Sequence, residues 1–273
     1  MTQIFGEFTF IVASDESIPI LLTERLQFHD GHPRLHGLKD SVAAVEAERV
    51  RTMFGAIARR YDLANHLLSC GFDFYWRKHA ARIVASWRPN KILDLATGTG
   101  DLALVLQKEL PDAEIVGADF SDEMLVIAKR KGVRQTVVAD AMELPFANSS
   151  FDCVTIAFGL RNLTNWEAAL REMARVLVTH GHLLVLEFSL PRLAILRGIY
   201  RFYLHRCMPV IGSFLTRKKS AYDYLGESIE NFPSGDAMLG LMKTVGFGDT
   251  QAEPLTGGIV TIYTGRKQTA PTA

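Results

Sequence analysis

The 273-residue chain, 48% apolar and 22% charged, has the composition of an ordinary globule and the length for one substantial α/β domain with a small appendage. Lys+Arg and Asp+Glu each number 30, so no global positive field recruits nucleic acid. Cys70, Cys153 and Cys207 are scattered without metal-ligand spacing, and no apolar run reaches the roughly 18 residues of a membrane span, so the chain reads as a metal-free cytosolic protein with reduced thiols.

Residues 1–40 carry little pattern. FGEFTFIVAS fits a strand, but ERLQFHDGHPRLHGLKD is polar with no clear period, and no basic leader precedes an apolar core. A poorly ordered extension is expected there, not a secretory signal. A single domain is expected over residues 41–273. It opens on a helical pattern in SVAAVEAERVRTMFGAIARRYDLANHLLS, with Val50, Phe54 and Ile57 three or four apart. A second helix covers FYWRKHAARIVASW and stops before Pro89. Strands KILDLA, AEIVGADF, RQTVVAD, FDCVTIAFG and HLLVLEFS then alternate with helices DLALVLQKEL, SDEMLVIAKRKG and WEAALREMARVLV. That alternation is the pattern of a mostly parallel sheet covered by helices on both faces. It stops over about residues 190–235, a helical insertion long enough to form a lid over the carboxyl ends of the strands. The closing GFGDTQAEPLTGGIVTIYTGRK reads as two strands joined by a Gly-containing turn, an antiparallel edge to the sheet.

The stretch KILDLATGTGDLALVL places a glycine turn at the end of the first strand of this series. It is not a Walker A loop, because Gly98-Thr99-Gly100 is followed by Asp101 where a phosphate site needs a Lys and a hydroxyl. Gly98, Gly100 and Ala103 formally match G-x-G-x-x-A, and Asp119 lies about 20 residues downstream, as in a dinucleotide site. An NAD-linked oxidoreductase and a tight turn with no ligand are therefore both open readings. The acids tilt the balance. Asp94 lies inside the strand and Asp101 opens the next helix, so a pyrophosphate would meet negative charge, whereas a cationic sulfonium bearing an ammonium group would be favoured. Asp140 ends the third strand, where it can accept from an adenine amino group with Ala141 and Met142 flanking the ring.

Together these features resemble a class I S-adenosylmethionine-dependent methyltransferase. The resemblance implies a Rossmann-like α/β fold with a seven-stranded, mostly parallel sheet. It places Gly98, Thr99 and Gly100 at the methionine moiety, Asp119 at the ribose, and Asp140 and Ala141 at the adenine. It also brings Asp94, Thr97, Phe120, Met124, Met142 and Ala157 to the donor site, Asp94 either at the ligand or as a support for the loop.

Three further stretches are similar to signatures of the quinone-biosynthesis C-methyltransferases. They are YDLANHLLSCGFDFYWR, in which Tyr61, Asp62, Asn65, Ser69, Gly71, Trp76 and Arg77 fall on the pattern, FGLRNL, and RVLVTHGHLLVLEFSLP. The resemblance runs from about residue 48 to 267 and implies demethylmenaquinol as acceptor. The alternative is the 2-methoxy-6-polyprenyl-1,4-benzoquinol of the ubiquinone route. Departures are Ala64 where many members have Met, Asp73 where they have His, Val178-Thr179-His180-Gly181 where they have Lys-Pro-Gly-Gly, and Ala157 where some relatives have a donor-contacting Ser.

Such chemistry needs an electron-rich ring, hence a reduced quinol, and a protein that aligns the reactants and tolerates the charge that moves. Arg161 and Asn162 follow a strand end, where open α/β sheets present ligand loops, and are the candidate catalytic pair. Arg161 would stabilise a quinolate oxygen, and Asn162 would orient that oxygen or a water. Arg161 is no base, since its pKa exceeds about 12; His66 and Tyr61 are alternatives for that role. Tyr61, Asn65, Arg161, Tyr222 and Tyr224 are the candidate acceptor contacts.

In the insertion, Arg192, Arg197, Arg201, Arg206, Arg217, Lys218 and Lys219 stand among Leu193, Ile195, Leu196, Ile199, Tyr200, Phe202, Tyr203 and Leu204, with no Asp or Glu between 191 and 219. That composition suits the inner face of an anionic membrane and a passage for a prenyl tail. It equally suits an apolar face packed on the domain beneath a wet charged one. The expected protein is a cytoplasmic or peripherally membrane-bound enzyme taking a prenylated quinol, with an oligomer compatible with the sequence. The alternative is a non-catalytic donor-binding component of a quinone-synthesis assembly.

Overall fold

The computed structural model describes residues 5–12, 20–29, 32–33, 66, 69–210 and 220–269. The chain divides into two compact units, Met1–Glu48 and Arg49–Ala273. In the first, β1 (Phe5–Val12) pairs antiparallel with β2 (Ile20–His29), which pairs with β3 (His32–Pro33). Strands therefore stand where the sequence suggested a poorly ordered extension. The alternation of Leu22, Leu26 and Phe28 with Thr23, Arg25 and Gln27 is a strand period broken only at Glu24. Polar composition hid it, and antiparallel pairing satisfies main-chain groups whatever the side chains. The helix expected over residues 41–69, with Val50, Phe54 and Ile57, lies outside the described residues except at its end.

The second unit follows the alternation. α1 (Phe72–Trp87) ends at Arg88 in a left-handed conformation just before Pro89. Then come β4 (Lys91–Leu95), α2 (Asp101–Glu109), β5 (Glu114–Asp119), α3 (Asp122–Lys131), β6 (Gln135–Val138) and β7 (Phe151–Ala157). α4 (Trp166–Val176), β8 (Leu177–Phe188), α5 (Ala194–Phe202), α6 (Ser220–Asn231), α7 (Asp236–Thr244), β9 (Phe247–Leu255) and β10 (Val260–Lys267) complete the unit. The sheet has the order β6-β5-β4-β7-β8-β10-β9. β4 to β8 run parallel, whereas β10 is antiparallel to both β8 and β9, as the terminal hairpin pattern required.

Strand periodicity sorts the core into two layers. Ile92, Leu184, Leu186 and Ile262 face the layer of Trp76, Val84, Leu102 and Leu106. Leu93, Leu95, Val154, Ile156 and Val185 face that of Leu170, Met173, Met238 and Met242. Each of these fully buried side chains contributes about 1.5–3 kcal/mol. Helix starts follow the sequence: Ser121 Oγ accepts from Met124 N at 3.3 Å, and Asn165 Oδ1 accepts from Ala168 N at 3.0 Å.

The insertion is helical. α5 continues through a π-turn at Tyr203–Cys207, and Tyr200, Leu204, Met208 and Ile229 form a small core of their own against Phe188, Leu190 and Ile259. It therefore lies over the carboxyl end of β8, as a lid would. Arg217, Lys218 and Lys219 are outside the described residues.

Candidate functional site

The glycine turn is built from β4 outward. Asp94 is 1% exposed and accepts from Thr97 Oγ1 at 2.6 Å and Thr155 Oγ1 at 2.7 Å, so both its oxygens brace the loop against β7. Thr97 N–H donates to Ala118 O and Gly100 N–H to Thr97 O, closing the turn. Gly98 has φ +56° with open space where a Cβ would lie, and its N–H donates to Asp119 Oδ2 at 2.8 Å. Gly100 has φ +87°, and a Cβ there would stand 2.4 Å from Val133 Cγ2. The first glycine thus leaves room above the turn, and the second lets α2 pack on α3.

Burial pushes Asp94 up to about 6 from an ordinary value near 3.8, against the two threonine hydrogen bonds. Burial likewise raises Asp119, although the N–H groups of Ser121, Gly98 and Phe120 oppose it. Asp101 is bonded to Lys131 Nζ and lies 3.6 Å from Arg77 Nη2. Counting charges in the sequence therefore overstated the acidity of the turn: Asp101 is paired, and Asp94 is buried beneath the loop. One consequence is measurable. The raised pKa of Asp94 gives stability that is fully present below about pH 4 and lost as pH rises through about 6. Relative to Asp94→Asn, the wild type is expected to lose about 2 kcal/mol between pH 4 and pH 7 in urea unfolding. An unchanged difference between the two proteins at both pH values would contradict this.

The other predicted donor residues gather around the turn or at neighbouring strand ends. Thr99 is buried and accepts from Lys131 Nζ at 3.2 Å. Met124 is buried, and Phe120 and Ala157 are half-buried at the ends of β5 and β7. Asp140 is exposed after β6, where its Oδ1 accepts from Met142 N at 2.8 Å; Ala141 is buried and Met142 half-buried.

Beside the turn, at the carboxyl ends of β7 and β8, lies a largely apolar cavity of about 550 Å³. Trp76, Phe158 and Phe188 line it from the sheet side; Leu196, Ile199, Tyr200, Tyr203, Leu204 and Ile229 line it from the insertion. Arg161 reaches this wall at 7% exposure, its Nη1 donating to Glu187 Oε1 at 2.7 Å and to Phe158 O at 2.6 Å. Asn162 does not line the cavity; its Nδ2 points back to Phe158 O at 3.4 Å. The predicted pair is thus split, because the short 3₁₀ turn Leu160–Asn162 aims successive side chains in different directions. Tyr224 is half-buried and not part of the lining. Tyr61 and Asn65, and the side chain of Tyr222, lie outside the described residues. His66 also does not line the cavity, and its Nδ1 is 2.6 Å from Asp73 Oδ2.

Sequence reasoning missed several polar groups here. Glu187 is fully buried as the partner of Arg161. Asp73, 3% exposed, lines the cavity and accepts from Ser69 Oγ at 2.6 Å, from His66 and from Arg77. Burial would raise its pKa, but Ser69, Arg77 and His66 hold it below the usual carboxylate range. Tyr200 and Tyr203 are neutral hydroxyls in the wall; burial, with the nearby thiols of Cys70 and Cys207, pushes Tyr203 up to about 12. Arg77 bridges from Asp73 to Asp101 and so ties the cavity wall to the glycine turn.

The human N-acetylserotonin methyltransferase in complex with SAM shares this fold, with a TM-score of 0.53 and 18% identity over 86% of this chain and 60% of that one. A SAM-dependent methyltransferase from Thermotoga maritima does so with a TM-score of 0.58 and 20% identity, over 80% of this chain and 100% of that one. Sequence similarity is much closer to the demethylmenaquinone methyltransferase of Thermus thermophilus, 46% identical over 78% of this chain and 99% of that protein. The ubiquinone/menaquinone biosynthesis C-methyltransferase UbiE of Geobacter sp. strain M21 is 44% identical over 81% and 97%. The family model of the ubiE/COQ5 methyltransferases matches residues 42–267, which takes in the whole seven-stranded sheet, the glycine turn and the cavity. The chain belongs to the ubiE/COQ5 methyltransferase family.

Proposed function

We propose that the protein methylates a ring carbon of demethylmenaquinol, with S-adenosylmethionine as the methyl donor. The observation that carries this reading is the apolar cavity roofed by the insertion and joined to the glycine turn through Arg77. It has the size and lining of a site for an aromatic ring with a greasy substituent.

The turn suits the donor. Open space lies over Gly98, no lysine follows the glycines to take a phosphate, and Asp119 ends β5 where a ribose would be held. In this reading the backbone of Gly98, Thr99 and Gly100 surrounds the methionine part, and Asp140, Ala141 and Met142 receive the adenine. Phe120, Met124 and Ala157 supply apolar walls, while Asp94 acts through Thr97 by fixing the loop. When bound, the donor supplies an electrophilic methyl group on a positively charged sulfur. The chain's own work is to orient the ring, exclude water and favour an ionised ring oxygen. Arg161 serves the last, its charge buried and already held in place by Glu187.

The test is transfer of labelled methyl to reduced demethylmenaquinone bearing a short prenyl tail, with 2-methoxy-6-prenyl-1,4-benzoquinol assayed beside it. Label in the naphthoquinol alone supports the menaquinone route, and label in both supports dual use, as the name of the Geobacter relative includes both quinones. Label in neither, from folded protein that binds the donor, favours a non-catalytic role.

Contact with a membrane surface belongs to the same reading. Among the described residues no helix is long and apolar enough to cross a membrane. Yet Leu193, Ile195, Ile199 and Phe202 are 63–79% exposed on and beside α5, among Arg192, Arg197 and Arg206. Exposed apolar side chains favour a surface-seated helix over one packed on its own domain. Arg201 is less available, being bonded to Glu230 at 2.8 Å. Ile195→Asp with Phe202→Asp, neither of which lines the cavity, is expected to weaken pelleting with anionic vesicles about 100-fold. Methyl transfer to a short-tailed acceptor should persist. Unchanged pelleting would show that this face does not meet a membrane.

A further inference from the structure

Two arginine–carboxylate pairs border the cavity, and the reading above gives only one of them a contact with the acceptor. Arg77 Cζ lies 5.4 Å from the Phe158 ring and Arg161 Cζ lies 5.3 Å from the Phe188 ring, while the two rings are 4.7 Å apart. The pairs thus flank one aromatic platform. They differ in what they present to it. At the Arg161–Glu187 pair it is the cation that lines the cavity; at the Arg77–Asp73 pair the carboxylate lines it as well.

We propose that Asp73 is the second polar contact of the acceptor ring and makes the cavity select the dihydroxy form of a quinone over its dicarbonyl form. This rests on the cavity being the acceptor site. An ionised carboxylate only accepts hydrogen bonds, and it offers about four lone-pair positions. Ser69 takes one on Oδ1, and His66 and Arg77 take two on Oδ2, which leaves a position on the cavity-lining group. A quinol hydroxyl can donate there. A quinone carbonyl cannot, and it sets its own lone pairs against a buried negative charge. At the other pole Arg161 only donates and receives either oxygen, best of all an ionised one. The cavity therefore complements a ring with one hydroxyl donating to Asp73 and one oxygen carrying charge at Arg161. The ring carbon ortho to that charged oxygen is the one made nucleophilic. Asp73 thereby fixes which oxygen keeps its proton and which end of the ring is activated.

The test measures binding, not turnover. The probes are 2,3-dimethyl-1,4-naphthoquinone, whose blocked quinone carbons cannot add the Cys70 thiol, and its quinol under anaerobic reductant. With the full chain, the wild type is expected to prefer the quinol about 10- to 100-fold. Asp73→Asn places a donor at the same position and is expected to erase or invert that preference, because the amide N–H bonds a carbonyl. A residue with only a structural role would weaken both probes alike. A wild type with no preference, or an Asp73→Asn protein that keeps it, overturns the inference. Should Asp73→Asn not fold, the wild type decides with 4-methoxy-2,3-dimethyl-1-naphthol and the 1,4-dimethoxy compound. The monoether keeps a hydroxyl and should bind at least about tenfold better than the diether, and equal binding overturns the inference. Methyl transfer to demethylmenaquinol by the same wild-type preparation, measured separately, shows whether a failure belongs to this inference or to the functional reading beneath it.

Discussion

Arg161→Met is expected to cost the fold about 3–5 kcal/mol, and adding Glu187→Gln in the same chain should return most of it without returning activity. Glu187 has no exposed surface, and its carboxylate is held by Arg161 Nη1 at 2.7 Å, Phe188 N at 2.9 Å and Arg161 N at 3.3 Å. Removing the guanidinium leaves the two backbone donors but strands a full charge in a desolvated place. Glutamine at 187 removes the charge and keeps its carbonyl oxygen as the acceptor for Phe188 N–H, giving up only the longer bond from Arg161 N. Methyl transfer should stay about 10²–10³-fold below wild type in both variants, because the buried donor proposed for the acceptor oxygen is gone. Urea unfolding and a single-turnover assay on the two variants check both halves. A double variant as unstable as the single one would show that the pair is not what holds Glu187. Wild-type turnover in the double variant would remove Arg161 from the chemistry.

The glycine turn yields the second large contrast, because Gly98 and Gly100 share a left-handed backbone for different reasons. Gly100→Ala would drive a methyl to 2.4 Å from Val133 Cγ2 and 3.1 Å from Ala128 Cβ. Valine cannot swing away as a long side chain would. The expected loss is about 1–2 kcal/mol for the backbone and about 1–3 kcal/mol for overpacking. Gly98→Ala meets no atom within 4 Å, so only the backbone term applies and melting should fall modestly. Its methyl enters the space assigned to the donor, so S-adenosylmethionine affinity should drop at least about tenfold, the effect of one or two kcal/mol. Calorimetric titration and thermal melting of the two variants separate the roles. Equal melting losses with intact donor binding in Gly98→Ala would move the donor away from this turn.

Much of this architecture was legible in the chain because strand and helix periods repeat strongly. Ile92–Leu95 is apolar with one interruption, Asp94, and that residue proved to be the brace of the loop. The terminal hairpin announced itself through its glycines. What escaped was information that no local period carries. β8 begins at Leu177, five residues before the predicted HLLVLEFS, and its pairing with β7 jumps from Leu177 to His182, with His180 at φ +66°. A bulge of this kind places a polar run inside a strand. Glu187 lay within a quoted signature yet looked like an ordinary polar residue at a strand end. Its partner Arg161 is 26 positions away and meets it only across neighbouring strands. Asp73 was visible only as a departure from the family's histidine, and its bonds to Ser69, His66 and Arg77 needed the turn into α1. Asn162 shows the opposite failure: adjacency to Arg161 suggested a shared role, and a 3₁₀ turn separated them.

In the proposed reaction the cavity delivers a ring carbon, not a ring oxygen, to the donor turn. The most direct test of this is one turnover with S-adenosylmethionine carrying a ¹³C methyl and reduced demethylmenaquinone, with the product examined by carbon NMR. The expected product carries one labelled methyl on the ring carbon that was bare, with both ring oxygens unmethylated, and Asp119→Asn is expected to give the same product at a reduced rate. A labelled methoxy group on a ring oxygen would contradict that expectation.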